Sequence, residues 1–122
     1  MRTRVMMGTS RRRRAYRLLG LARRAGAVAP GTAAVRRAIR EGEARLVLMA
    51  EDASSVQLGK IQTTLHDRTI PQVFLGDRDM LGAAVGLAPL SAVAVTSVSL
   101  ADRLLAELEG SSDESSENEP EA

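Results

Sequence analysis

The order of apolar segments along the chain constrains its fold most. Residues 46–50 (LVLMA) form an unbroken apolar run of strand length, as expected for a central strand that is covered on both faces. Shorter strand-like runs lie at residues 27–29, 72–75 and 92–96, and helical patterns separate them. This alternation predicts an α/β protein in three layers, with helices on both faces of one sheet.

Helical periodicity is predicted over residues 10–25, 32–41, 54–67, 78–85 and 99–109. The expected N-caps are Ser10, Ser54 or Ser55, Asp77 and Ser99, the last with Asp102 in a capping-box-like pattern. The expected C-terminal stops are Gly26, Gly42, Gly86 and Gly110. We therefore predict a basic flexible arm over residues 1–9, one domain over 10–109 and a disordered acidic tail over 110–122.

Composition excludes several classes of protein. The chain has 122 residues and no cysteine, which rules out disulfides and thiolate metal sites. Neither a secretory signal nor an apolar stretch of membrane-spanning length is visible, so we expect a cytoplasmic protein without a membrane partner.

Charge is strongly segregated along the chain. The first 24 residues hold nine arginines and no acid, whereas residues 111–122 hold five acids and no base. Without that tail, 17 basic side chains face 10 acidic ones, a formal charge of +7 in place of +2. Such clustering indicates an anionic partner, with nucleic acid as the leading candidate.

Several segments together carry a family resemblance. They are residues 18–26 (LLGLARRAG), residues 46–54 (LVLMAEDAS), Ile70-Pro71 before a strand, residues 81–86 (LGAAVG) and residues 92–96 (AVAVT). In this order they resemble the ribosomal L7Ae/L30e family, in its bacterial YlxQ-like branch, over residues 15–108. The resemblance implies an α/β/α sandwich with a four-stranded mixed sheet. It also implies a non-catalytic protein that binds structured RNA, typically kink-turns.

The resemblance places RNA contacts at two points. One is the start of the second predicted helix, where the family pattern is Gly-Thr-Asn-Glu-x-x-Lys and residues 31–37 here read GTAAVRR. The other is the loop before the last strand, residues 88–91, where Leu90 could support a splayed-out base. The site residues expected from the resemblance and the charge pattern are Gly31, Thr32, Ala33, Ala34, Arg36, Arg37, Arg40, Leu90 and Ser91.

Physical reasoning supports the helix start as an anion site. Free N–H groups and the helix dipole favour a phosphate there, and Gly31 removes side-chain bulk from its approach. The alternative is that Gly31 is only a turn residue and that the arginines form a solvated face. Ala33 and Ala34 depart from the family pattern, because alanine makes no hydrogen bond to a base edge. We therefore expect shape and phosphate recognition, with a weaker or altered preference for kink-turns.

Other candidates are weaker. Residues 11–14 (RRRR) could grip phosphates, pair with the acidic tail or be solvated. His66 is the only histidine and lacks metal-ligand spacing, while Asp52 is expected to be a turn or cap residue. No catalytic set, cofactor motif or metal site is found. Only Tyr16 and Phe74 are aromatic, which argues against a stacking platform for single strands.

Three functions are therefore considered. The first is binding of structured RNA, either ribosomal RNA or a kink-turn RNA, by a monomer associated with ribosomal particles or translation. The second is a protein-interaction module on the same fold without specific RNA readout, as the alanines at positions 33 and 34 would allow. The third is an enzyme acting on RNA, which the missing catalytic set disfavours.

Overall fold

The computed structural model describes the backbone of residues 9–121 and the side chains of residues 11–109. Over the described range the chain forms five helices and four strands in strict alternation. They are α1 (Thr9–Arg24), β1 (Val28–Pro30), α2 (Thr32–Arg40), β2 (Leu46–Met49), α3 (Ser55–Leu65), β3 (Gln72–Phe74), α4 (Arg78–Ala84), β4 (Ala92–Val95) and α5 (Val98–Glu121).

The four strands form one mixed sheet in the order β1-β4-β2-β3. Strand β4 is antiparallel to both of its neighbours, with Val28 opposite Val95 on one side and Leu46 opposite Val95 on the other. Strand β3 is parallel to β2 at the far edge. Pro30 lies in the edge strand β1, where a residue without an N–H is tolerated. The predicted α/β/α sandwich with a four-stranded mixed sheet is confirmed.

Alternating side chains of the central strands build two separate cores. Leu46 and Leu48 are buried with α1, α4 and α5, whereas Val47 and Met49 are buried with α2 and α3. Every residue of β2 and β4 is buried, because helices cover both faces of the sheet. The unbroken apolar run in the sequence therefore does correspond to a central strand.

Glycines end three helices with one shared motif. The N–H of Gly42 bonds to the Ile39 carbonyl and the next N–H bonds to Ala38, and the same pair of bonds recurs at Gly26 and Gly86. All three glycines have positive φ, as the Schellman motif requires. The predicted stops at these positions are confirmed.

Two of the four predicted N-caps are wrong. Ser54 and Asp77 accept the N–H of the third residue after them, as predicted. Helix α1 already includes Ser10, because it begins at Thr9. Helix α5 begins at Val98, and Ser97 rather than Ser99 accepts the N–H of Leu100. The chain turns within two residues of β4, so the cap falls earlier than the capping-box pattern suggests.

Helix α5 continues to Glu121 instead of ending near Glu109, since a single glycine costs only about 1 kcal/mol inside a helix. The predicted arm over residues 1–9 falls almost wholly outside the described residues, and the predicted disordered tail over 110–122 lies beyond the last described side chain. Both stay predictions.

None of the described helices combines the length and the apolar character needed to cross a bilayer.

Helix α5 is tied to α1 by a small charge network. Arg11 is buried, and its guanidinium donates to both the main-chain carbonyl and the carboxylate of Glu107, at 3.0 and 3.3 Å. Arg14 donates to the same carboxylate at 2.7 Å. Two residues of the arginine run thus bind Glu107, Arg11 as a buried side chain and Arg14 as an exposed one.

We predict that Glu107→Ala lowers the free energy of unfolding by about 1–3 kcal/mol, because it removes the carboxylate that Arg11 and Arg14 share between α1 and α5. Urea denaturation measures the loss. Glu109→Ala, at an exposed position on the same helix, is the control and should change the free energy of unfolding by less than about 0.5 kcal/mol. Equal effects of both variants would show that the network does not hold α5 in place.

Packing at Gly82 gives a second stability prediction. A Cβ there would overlap the Ala88 carbonyl and lie 2.8 Å from the Leu87 oxygen, so Gly82→Ala must push the loop before β4 outward. We expect a loss of about 1–3 kcal/mol in the free energy of unfolding. Gly59→Ala, with no atom near its new Cβ, should instead add about 0.5–1 kcal/mol. A neutral Gly82→Ala would mean that this loop is not packed on α4.

Candidate nucleic-acid interface

The turn from β1 into α2 is built around one glycine. Gly31 is the N-cap of α2 and has a φ of 96°, a conformation that residues with a side chain rarely adopt. Its N–H donates to the Ala92 carbonyl at 2.9 Å, and its own carbonyl accepts the Val35 N–H at 2.8 Å. These two bonds fix the start of α2 against the first residue of β4.

The first turn of α2 is open to an anion. Gly31 offers no side-chain cap, and no acidic residue lies in this turn. Ala33 is exposed, while Thr32 and Ala34 are half-buried. The positive end of the helix dipole is therefore not compensated within the first turn, which is the arrangement that favours a bound phosphate.

The loop before β4 lies beside this helix start. A Cβ on Gly31 would be 3.8 Å from Cδ2 of Leu90, which is ordinary contact distance. The Leu90 N–H donates to the Arg78 carbonyl at 3.1 Å, and the Ser91 carbonyl accepts the Ala50 N–H at 2.9 Å. Leu90 and Ser91 are both half-buried. The two predicted contact segments, distant in sequence, are neighbours at one edge of the sheet.

A basic stripe continues from the helix start along its outer face. Arg37 and Arg40 are exposed and Arg36 is half-buried, and the spacing of three and four residues aligns them with Ala33. The opposite face of α2, with Val35, Ala38 and Ile39, is buried in the core. We call the helix start, the stripe and the adjoining loop the α2 surface. It comprises Gly31, Thr32, Ala33, Ala34, Arg36, Arg37, Arg40, Leu90 and Ser91.

Two arginines of the stripe have partners. Arg37 Nε donates to the Glu41 carboxylate at 3.2 Å across an exposed pair, and the spacing of four residues could have revealed this contact. Arg36 Nε donates to the hydroxyl of Thr64 on α3 at 2.9 Å. No local pattern predicts the latter contact, because the two residues are 28 positions apart. These bonds orient both guanidinium groups on the surface.

The arginine run at residues 11–14 does not join the α2 surface. Helix α1 packs on the sheet face opposite α2, because the buried residues of the two helices belong to different cores. Arg11 and Arg14 pair with Glu107, as described above, while Arg12 is half-buried and Arg13 is exposed. The molecule thus has basic groups on two faces.

Residues considered for catalysis or metal binding have structural roles or lie apart. Asp52 lies in a turn, and its carboxylate accepts the main-chain N–H of Arg78, the first residue of α4, at 2.9 Å, as expected of a turn or cap residue. The His66 side chain is 80% exposed, and its Nε2 lies 3.5 Å from Oδ1 of Asp67. Within the described part of the chain, no group of three or more His, Asp or Glu side chains could hold a metal ion.

Solved structures share this architecture. A protein of unknown function from Bacillus halodurans C superposes with a TM-score of 0.73 and 29% identity, over 78% of this chain and 96% of the other. A Giardia lamblia 15.5 kD RNA-binding protein superposes with a TM-score of 0.68 over 84% of this chain and 88% of its own. At 21% identity this second likeness shows the fold alone.

Sequence comparison extends the likeness. The chain is 36% identical over 94 residues to the RNA-binding protein YlxQ of Bacillus subtilis, covering 77% of this chain and 94% of YlxQ. It is 35% identical over 71 residues to the large ribosomal subunit protein eL8 of Picrophilus torridus, covering 57% of this chain and 56% of eL8. A family model matches residues 13–105. That match spans all four strands, helices α2 to α4, most of α1 and the first third of α5, so the chain belongs to the Ribosomal protein L7Ae/L30e/S12e/Gadd45 family.

Proposed function

We propose that this protein binds structured RNA through the α2 surface, in association with the ribosome or with translation. One observation carries the proposal: a helix start with neither a side-chain cap nor a first-turn acid opens beside Leu90 and leads into a row of arginines. The names of two relatives, an RNA-binding protein and a large-subunit ribosomal protein, support the same conclusion. Such a role would place the protein in the cytoplasm.

The chemistry of the surface fits the RNA backbone. Helix N–H groups and guanidinium groups both donate to phosphate oxygens, and a planar guanidinium can donate two parallel hydrogen bonds to one phosphate. Arg37 and Arg40 are exposed on the same side as the open helix start. A backbone segment that lies along α2 would therefore meet donors over its whole length. Affinity should fall steeply with salt, because each neutralised phosphate releases bound cations.

Recognition of bases is expected to be limited. Ala33 is exposed and Ala34 half-buried at the positions where the family pattern has Asn and Glu, so neither side chain can read a guanine edge. A good bidentate base contact discriminates by ~1–3 kcal/mol, and this surface lacks those two. Leu90 remains as an apolar support for an unstacked base. We therefore propose binding by shape and phosphate contacts, with a weak preference for kink-turns.

Catalysis is not part of the proposed role. The matched family consists of non-catalytic RNA-binding and ribosomal proteins, so the prediction that this chain is not an enzyme is confirmed.

The exposed alanine at position 33 favours a second candidate function, a protein-interaction module on the same fold. The two candidates are separated by titrating a kink-turn RNA, a plain hairpin and a non-nucleic polyanion at two salt concentrations. Structure-selective binding supports the proposal, equal binding to all three reduces it to general electrostatics, and no binding at low salt favours the interaction module.

Charge reversal on α2 should weaken RNA binding selectively. We expect Arg37→Glu to lower affinity for a kink-turn RNA about tenfold and to reduce the salt slope of the binding constant by about one. Arg103→Glu on α5 is a matched control, since each reversal places a glutamate four residues before another, Glu41 or Glu107. Fluorescence anisotropy at several salt concentrations measures both variants. Equal losses would show that α2 is not the docking face.

The acidic tail should compete weakly with RNA. Removing residues 111–122 raises the formal charge from +2 to +7, so we expect affinity to rise about twofold at low salt and less at high salt. The melting temperature should not change, because Pro120 and Ala122 are the only apolar residues in this segment and it can bury little surface. A large drop in melting temperature would show that the tail packs on the domain.

A further inference from the structure

A groove lies between α1 and α4, on the sheet face opposite α2. One part, of about 340 Å³, is lined by Arg12, Arg13, Tyr16 and Met80. An adjoining part, of about 250 Å³, is lined by Tyr16, Met80, Ala83 and Ala84. The helices close the far end, where a Cβ on Gly20 would come within 3.2 Å of the Ala84 carbonyl. We call these six lining residues the α1–α4 groove.

The ring of Tyr16 stands between the two parts of the groove. Its hydroxyl lies 3.6 Å from the sulfur of Met80 and directly above Gly76, where any Cβ would overlap the phenol oxygen. Burial raises the pKa of Tyr16, Arg12 opposes the shift, and the nearby carboxylates of Asp77 and Glu51 add to it. The hydroxyl therefore stays protonated at neutral pH. Position 76 has room for glycine alone as long as the phenol keeps this place.

Two arginines sit at the open end, one helical turn before the ring. Arg12 precedes Tyr16 by four residues and Arg13 by three, so all three share a face of α1. Arg11 and Arg14, on the other side of that helix, pair with Glu107. Neither Arg12 nor Arg13 forms an ion pair with another residue among those described. The fold thus splits the arginine run into a pair bound to Glu107 and a pair that lines the groove.

These features match the chemistry of one nucleotide. An aromatic ring, a thioether and two alanine methyl groups suit the face of a base, and two guanidinium groups suit its phosphate. The carboxylates of Asp77 and Glu51 lie near the ring, so that end suits a neutral base, and a phosphate is favoured only at the end with the two arginines. Resting on the proposed RNA-binding function, we infer that the α1–α4 groove holds one unpaired nucleotide of the RNA that the α2 surface binds.

A physical route joins the two surfaces. Leu90, at the edge of the α2 surface, bonds through its N–H to the carbonyl of Arg78, the first residue of α4. The Arg78 side chain is exposed and lies 3.5 Å from Asp52. A single strand that leaves the bound RNA past Leu90 would therefore pass Arg78, which precedes the groove residue Met80 by two positions on α4.

The test compares a blunt kink-turn RNA with the same RNA carrying a single-stranded extension of about six nucleotides, placed at each strand end in turn. We expect one extended RNA to bind wild-type protein about tenfold more tightly than the blunt one. Tyr16→Leu, and Arg12→Gln combined with Arg13→Gln, should lose that gain while binding blunt RNA normally. Tyr16→Phe, which keeps the ring, and Arg17→Gln, an exposed arginine outside the groove, should retain it.

A direct readout comes from Tyr16 itself. The chain has one tyrosine and no tryptophan, so its intrinsic fluorescence reports this ring alone. Stacking should quench the emission with the extended RNA and not with the blunt one, after correction for absorption by the RNA. A synthetic peptide of residues 111–122 serves as the acidic-peptide probe and should cause no quenching.

The outcomes separate the two proposals. If blunt RNA binds and no extension adds affinity, or if Tyr16→Leu leaves the gain intact, the groove proposal is overturned and the α2 surface stands. Equal losses for blunt and extended RNA in Tyr16→Leu would also overturn it, as would quenching by the peptide. Extended RNA that binds while blunt RNA does not would support the groove and contradict the α2 surface. Denaturation midpoints confirm that each variant is folded.

Discussion

Strand β4 is the element on which the rest of the structure depends. It pairs with both β1 and β2, and its alternating residues serve both cores: Val93 and Val95 on the side of α1, Ala92 and Ala94 on the side of α2. Alanines on one face give α2 room to pack closely. The carbonyl of Ala92 then accepts the N–H of Gly31, so the same strand that organises the core also fixes the start of α2 at the sheet edge.

Much of this arrangement could be predicted from local sequence. The apolar run of β2, the caps at Ser54 and Asp77 and the shared glycine stops rest on interactions within a few residues, which patterns report well. Contacts between distant segments could not be predicted in this way. Arg11 is buried against Glu107, 96 residues away, and nothing in a run of four arginines indicates which two bind that carboxylate. The cap at Ser97 could not be predicted, because Ser99 with Asp102 matches the capping-box pattern and Ser97, followed three residues later by Leu100, does not.

The candidate site shows the same division. Its residues were predicted from a family resemblance and from charge, and the structure brings the α2 start and Leu90 together because the loop before β4 closes over Gly82. The partners of the stripe, Thr64 and Glu41, depend on how α2 packs. The groove beside Tyr16 was not predicted, since the scarcity of aromatic residues argued against stacking. One ring is enough for one nucleotide, provided that the fold holds the ring still.

In the proposed complex, folded RNA lies along the start and outer face of α2. Amide chemical-shift mapping during titration with a kink-turn RNA tests it most directly, because it reports every contact segment without a substitution. We expect the largest changes at residues 31–37 and at Leu90 and Ser91, with the outer face of α5 unaffected. Changes confined to α1 and α5, with the Gly31 amide unmoved, would contradict it.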